Sequence, residues 1–188
     1  KALWGGLTAL PILIGAQPHR TGLPPLARSL RILVVTNFSL AVLLALAAWA
    51  WFPLQLRVAG AEGIEGVVFW TLLTLGATMF PVHQPRGAVV SVGFAPTLAA
   101  TFLGGPAVGA FVAFAGSTDM RELRREVPWY GTLYNHSSEL ISAVLAGFVY
   151  MGIAGHTLTP EQLKGEGSLL SLTAAIVAGL VYFVSVAV

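Results

Sequence analysis

Cysteine is absent from the 188 residues. Disulfides, thiolate metal sites and cysteine nucleophiles are therefore excluded. Charge is scarce as well: 10% of the residues are charged, where a soluble domain carries roughly a quarter. A water-facing surface cannot be built from that inventory. The sequence also lacks a phosphate loop, a zinc motif and a nucleophile elbow, and His19, His83, His136 and His156 lie far apart without paired ligand spacing. No metal, no cofactor and no enzymatic activity are expected of the chain as it stands. Its net charge of +2 comes from ten basic residues scattered over separate loops, which makes no contiguous basic face and argues against nucleic acid as a partner. No small-residue cleavage pattern follows the first apolar run, so a removable signal peptide is not expected.

What the sequence has in quantity is apolar residues, 56% of the chain. They fall in blocks of about 15 to 25, which at 1.5 Å per residue match a hydrocarbon core about 30 Å thick. The expected fold is all-α, a single polytopic membrane helix bundle of six to seven segments. Their predicted positions are 2–16, 32–54, 67–82, 88–103, 106–118, 129–153 and 169–188. Trp49, Trp51 and Phe52 end one segment, and Phe69 and Trp70 open the next, as aromatic residues do at a membrane interface. The first segment is short, and the chain begins and ends inside apolar runs, so a longer polypeptide is expected. The triplet Gly104-Gly105-Pro106 interrupts an apolar stretch and predicts a reversal between two short helices, either fully crossing or re-entrant. Thr159-Pro160-Glu161-Gln162 has the pattern of a capped helix start.

Alternate loops differ in Lys and Arg. Arg20, Arg28 and Arg31, then Arg86, then Arg121, Arg124 and Arg125 fall on one set, whereas the other set holds Arg57 and Lys164. Seven against two places the first set in the cytoplasm. With seven segments the N-terminus lies outside and the C-terminus inside, which in a bacterium means a multi-pass protein of the inner membrane.

The stretch Tyr134-Asn135-His136-Ser137-Ser138-Glu139 is the most unusual, because it is polar inside a long apolar segment. Glu139 lies ten residues in, about 15 Å along the axis and near mid-bilayer, where an ionisable group is costly and faces a partner or cavity. Asn135 shares its face at i,i+4, Ser138 and Ser142 lie beside it, and His136 is placed to share a proton or hydrogen bond with it. This is a candidate ligand or switch site, weighed against a structural polar knot between helices. Thr71, Thr74 and Thr78 form a second stripe that could face Glu139, although threonines in membrane helices often bond their own backbone. Gly105 and Gly109, with Gly104 and Pro106, point to close helix packing. The charged run 119–126 reads as a headgroup-level linker held inside by its arginines.

The runs 83–95, 102–110 and 128–135 together resemble the N-terminal multi-helix membrane region of bacterial signalling proteins that carry cytoplasmic HD-GYP phosphodiesterase or GGDEF cyclase domains acting on cyclic di-GMP. The resemblance covers roughly residues 67–150. It implies a membrane sensory module that couples a ligand, lipid or membrane signal to an output domain beyond Val188, where any catalysis would lie. The Gly104–Ala110 turn is also similar to the Gly-Pro helix start of substrate-binding S components of vitamin-type ECF transporters, which implies instead an outward-facing pocket for a micronutrient. A structural subunit of a larger membrane complex is the third expectation. The candidate partners are the lipid bilayer, a small-molecule or lipid ligand and a second copy of the chain.

Overall fold

The structure, a computed structural model, describes residues 27–52, 57–58, 61–62, 64–80, 82–83, 89–159 and 168–187. The expected segment 2–16 and the cap at 159–162, beyond Thr159, lie outside the described residues. Among the described residues, six helices and two short strand pairs follow one another: α1 (Arg28–Trp51), β1 (Arg57–Val58), β2 (Ala61–Glu62), α2 (Ile64–Met79), β3 (Val82–His83), β4 (Val89–Val90), α3 (Phe94–Gly116), α4 (Met120–Leu123), α5 (Trp129–Ala154) and α6 (Ser168–Ala187). Both strand pairs are antiparallel, with Arg57 opposite Glu62 and Val82 opposite Val90.

Among the described residues, four helices are long and apolar enough, by length and composition, to cross a membrane: α1, α3 taken from end to end across Gly105, α5 and residues Leu169–Val186 of α6. The helix α2 is apolar but shorter. Residue size is distributed as a bilayer-embedded bundle requires. The interior is built from small residues, among them Ala41, Ala48, Ala100, Ala110, Ala143, Ala146, Ala174 and Ala178, all nearly inaccessible. Large apolar side chains such as Leu43, Leu46, Trp49, Leu72 and Leu180 point outward. In water such a surface would drive aggregation; against lipid it costs nothing, and small residues inside let the backbones approach.

The helix α5 is the axis of the bundle, packing against α3, α6 and α1, while α2 packs on α3. Its end is set by Gly155, whose φ of 76° is the left-handed geometry of a helix C-cap, with its N–H donating to the Met151 carbonyl at 2.8 Å. The helices α1 and α5 run parallel: Asn37 near the start of α1 reaches Tyr134 and Ser138, and Phe52 after its end packs on Phe148. The helix α6 runs antiparallel to α5, with Tyr182 beside Glu139 and Ser171 beside Tyr150. One end of the bundle therefore gathers Arg28, Arg31 and the arginines of the α4 linker.

Within α3 the backbone leaves helical geometry at Gly105, where φ is 81° and ψ 178°. Its neighbours change along the chain in a definite order. Phe94 meets Phe183, Phe102 stacks on Tyr150 at 4.7 Å, Pro106 abuts Gly147, and Phe114 meets His136. Gly93 and Gly116, at opposite ends of the segment, both lie against α2, on Thr78 and Thr74 respectively. The Phe102 carbonyl, which Pro106 cannot satisfy for want of an N–H, accepts from the Leu158 N–H at 2.8 Å.

Element boundaries differ from the sequence expectation in several places, and the segment expected over 88–103 becomes helical only at Phe94, because Val89 and Val90 pair with β3 as β4. The helix α1 begins at Arg28 instead of 32, taking Arg28 and Arg31 into its first turn. Long arginine stems lie along an apolar surface while the guanidinium stays in a polar layer, so these residues extend the helix where a charge count ends it. The helix α2 is likewise shifted toward the N-terminus, spanning Ile64–Met79.

Candidate functional site

At the arginine-bearing end lies a cavity of about 760 Å³. Four helices and the α4 linker wall it. From α5 come Asn135, Ser138 and Glu139; from α2, Thr74 and Thr78; from α3, Phe94 and Thr97; from α6, Tyr182 and Phe183. The linker contributes Asp119, Arg121, Glu122 and Arg124. A volume of this size suits a small molecule.

Glu139 accepts a hydrogen bond from the Tyr182 hydroxyl, which ties α5 to α6 across 43 residues of sequence. Tyr182 is buried, and its ring packs edge-on against Phe183. Asn37 of α1 donates to the Tyr134 carbonyl at 3.2 Å and to Ser138 Oγ at 3.0 Å, so the polar face of α5 is bonded on two sides.

His136 does not bond Glu139. It turns toward α3 and the linker, where Nδ1 lies 2.6 Å from the Phe114 carbonyl oxygen and Nε2 lies 2.9 Å from Glu122 Oε2. Three residues along a helix leave the two side chains only about 60° apart around the axis, so it is the acceptors offered by α3 and the linker, and not the spacing, that draw the ring away. The Glu122 side chain is 6% exposed and is held there by the linker's own geometry. Asp119 caps α4, accepting from the N–H groups of Arg121 and Glu122 at 2.8 and 2.9 Å, and its Oδ2 accepts from Arg121 Nε and Nη2 at 2.9 and 2.7 Å. Burial by itself pushes the Asp119 carboxyl up, but the Glu122 N–H and the hydrogen bonds and charge of Arg121 outweigh it and hold the group below its ordinary value. The expected headgroup-level loop is thus a small folded unit with one carboxylate inserted into the bundle.

The other expected site residues divide. Thr74 and Thr78 line the cavity, and Thr78 Oγ1 donates to the Thr74 carbonyl at 2.9 Å. Thr71 donates to the Val67 carbonyl at 2.7 Å and does not line the cavity. Ser142, fully buried a turn deeper, does not line it either. Gly104, Gly105, Pro106 and Gly109 are all buried: a Cβ on Gly109 would collide with Thr101 of the same segment and one on Gly104 with Val108 at 2.7 Å, whereas Gly105 has room for a Cβ and is required by its positive φ. Among the described residues no group of three or more His, Asp or Glu side chains could hold a metal ion.

Tyr182, Asn37 and Glu122 were not singled out by sequence reasoning. Asn37 carries the signal that exposed Glu139, a polar side chain inside an apolar run, whereas a tyrosine in an apolar span reads as ordinary packing. No protein-family model matches the chain, and no curated protein or solved structure matches it either. The geometry alone speaks for the site.

Proposed function

We propose that the chain is a membrane-embedded input module: a molecule entering the cavity at the arginine-bearing end acts on the Glu139–Tyr182 bond and so on the position of the last helix. The observation that carries this reading is that the partner of the intramembrane carboxylate belongs to α6, and that both residues wall the cavity. Occupancy of the cavity and placement of α6 are then one equilibrium with two packings. The resemblance to sensory regions of cyclic di-GMP proteins supports an output domain joined to α6 on the same side.

The topology we infer begins with α3 as two half-helices meeting at Gly105. The succession of its neighbours, from Phe183 to Tyr150 and Gly147 and back to His136, supports a reversal. Each half of about 11 residues reaches about 16 Å, short of a 30 Å hydrocarbon core, so the hairpin is re-entrant. Its two ends stop near the level of His136, and the room left between them and the linker is the cavity. Arginine asymmetry supports a cytoplasmic mouth. An S component would need its main pocket at the opposite end, where the cavity beside Gly104, Gly105 and His156 is about 300 Å³.

The reading is tested by hydrogen exchange on the purified chain. Glu139→Gln should raise exchange over residues 180–186 while leaving the hairpin protected; unchanged exchange there would remove the link between cavity and last helix.

A further inference from the structure

The hydroxyls of the cavity wall are not neutral in what they offer. Thr78 donates to the Thr74 carbonyl and Thr97 donates to the Gly93 carbonyl at 3.0 Å, each spending its only proton on its own helix. Tyr182 spends its proton on Glu139. What these three oxygens present to the cavity is lone pairs. Beside them stands a carboxylate, which accepts only, and Thr74 Oγ1, which is buried at 1% residue exposure without a partner among the described residues. On the α2, α3 and α6 sides the inner wall therefore presents lone pairs beside the Glu139 carboxylate, while Asn135 and Ser138 of α5 bring donors to the same wall.

Charge nearby does not cancel it. His136, the basic group acting on Glu139 from within its own helix, has both ring nitrogens engaged by Phe114 and Glu122. Arg121 is paired with Asp119 at 2.7 Å, and Arg124 lines the cavity from the exposed linker at its rim. The deep end calls for a cation rich in donors, and the rim repels one. An alkali ion would suit the oxygens but not a cavity of about 760 Å³ flanked by Phe94, Phe183 and Val186. We propose that the cavity binds a small organic ammonium, its protonated amine seated on Glu139 and the threonine oxygens and its apolar body against Phe94 and Phe183.

This rests on the reading of the cavity as the input site and names the ligand class. The test is calorimetric titration of the purified chain in detergent with 2-phenylethylamine, with 2-phenylethanol as the uncharged isostere and sodium chloride as the inorganic cation. The amine should bind saturably and about tenfold or more tightly than the alcohol, the preference of a charge-assisted over a neutral hydrogen bond. Glu139→Gln should abolish that preference, and Thr74→Val should weaken amine binding severalfold. Equal binding of amine and alcohol to the unaltered chain, non-saturable uptake, or saturable sodium binding in place of the amine would each overturn the proposal without need of a variant. If amine binding fails while Glu139→Gln still loosens residues 180–186, the ligand class falls and the input reading stands; if exchange is unchanged too, both fall.

Discussion

Tyr182 on the last helix donates its hydroxyl proton to the carboxylate of Glu139 on the central one. Removing the donor leaves a buried acceptor short of a partner, and hydrogen bonds between membrane helices are worth about 0.5–2 kcal/mol. Tyr182→Phe should lower stability by that amount in denaturant unfolding from mixed micelles. The ring is retained, so the packing around Phe183 should survive, and a loss no larger than that of an outward-facing control such as Leu180→Ala would show the bond to be incidental.

Gly147 and Gly152 occupy the same helix and should respond oppositely to alanine. A Cβ at 147 would meet the Pro106 Cα at 2.8 Å and its ring at 3.0 Å, whereas one at 152 meets nothing within 4 Å. Overpacking against backbone costs about 1–3 kcal/mol, while an alanine in an unobstructed helical position gains up to about 1 kcal/mol in propensity. Thermal unfolding of the two variants should therefore shift in opposite directions, and equal shifts would mean that Gly147 does not abut Pro106.

The His136–Glu122 pair invites a double-mutant cycle. Both side chains are almost fully enclosed, and removing one partner of such a pair strands the other at a cost of about 3–5 kcal/mol. His136→Ala should be that damaging, whereas His136→Leu combined with Glu122→Met should recover most of the loss. Additive effects would mean that the two residues do not act on each other.

Asp119 gives the linker a pH dependence. Its carboxyl lies below its ordinary value in the folded chain, so its stabilisation is complete above the usual aspartate range near pH 4 and is lost as pH falls through the depressed value. Protection against hydrogen exchange over residues 119–126, measured relative to the intrinsic rate at each pH, should fall on acidification below about pH 4. Asp119→Ala should show the loosened linker already at neutral pH, weakened by about 0.5–2 kcal/mol for the lost cap, with that acid step gone.

The helices were legible because apolar block length is a direct physical requirement of spanning, and Glu139 was legible because a carboxylate inside such a block needs a reason. The kink at Gly105 follows from the Gly-Gly-Pro chemistry in the same way. Other features depend on what meets what. His136 could bond Glu139 by spacing alone, but the Phe114 carbonyl and Glu122 compete for the ring, and neither position is visible in local periodicity. Glu122 looks like a solvated charge until Asp119 caps α4 and turns it inward. The strand pairs are two residues long, too short to leave an alternating pattern.

The claim that the cavity governs the last helix is tested most directly by a distance. The chain has no cysteine, so Glu126→Cys and Val184→Cys, both exposed positions, provide a spin-label pair between the arginine-bearing ends of the linker and α6 without background. Introducing Glu139→Gln into that pair should displace the mean distance by about 2 Å or more, or split it into two populations, as helix shifts in switching proteins do. A distance distribution identical with and without Glu139 would contradict the account.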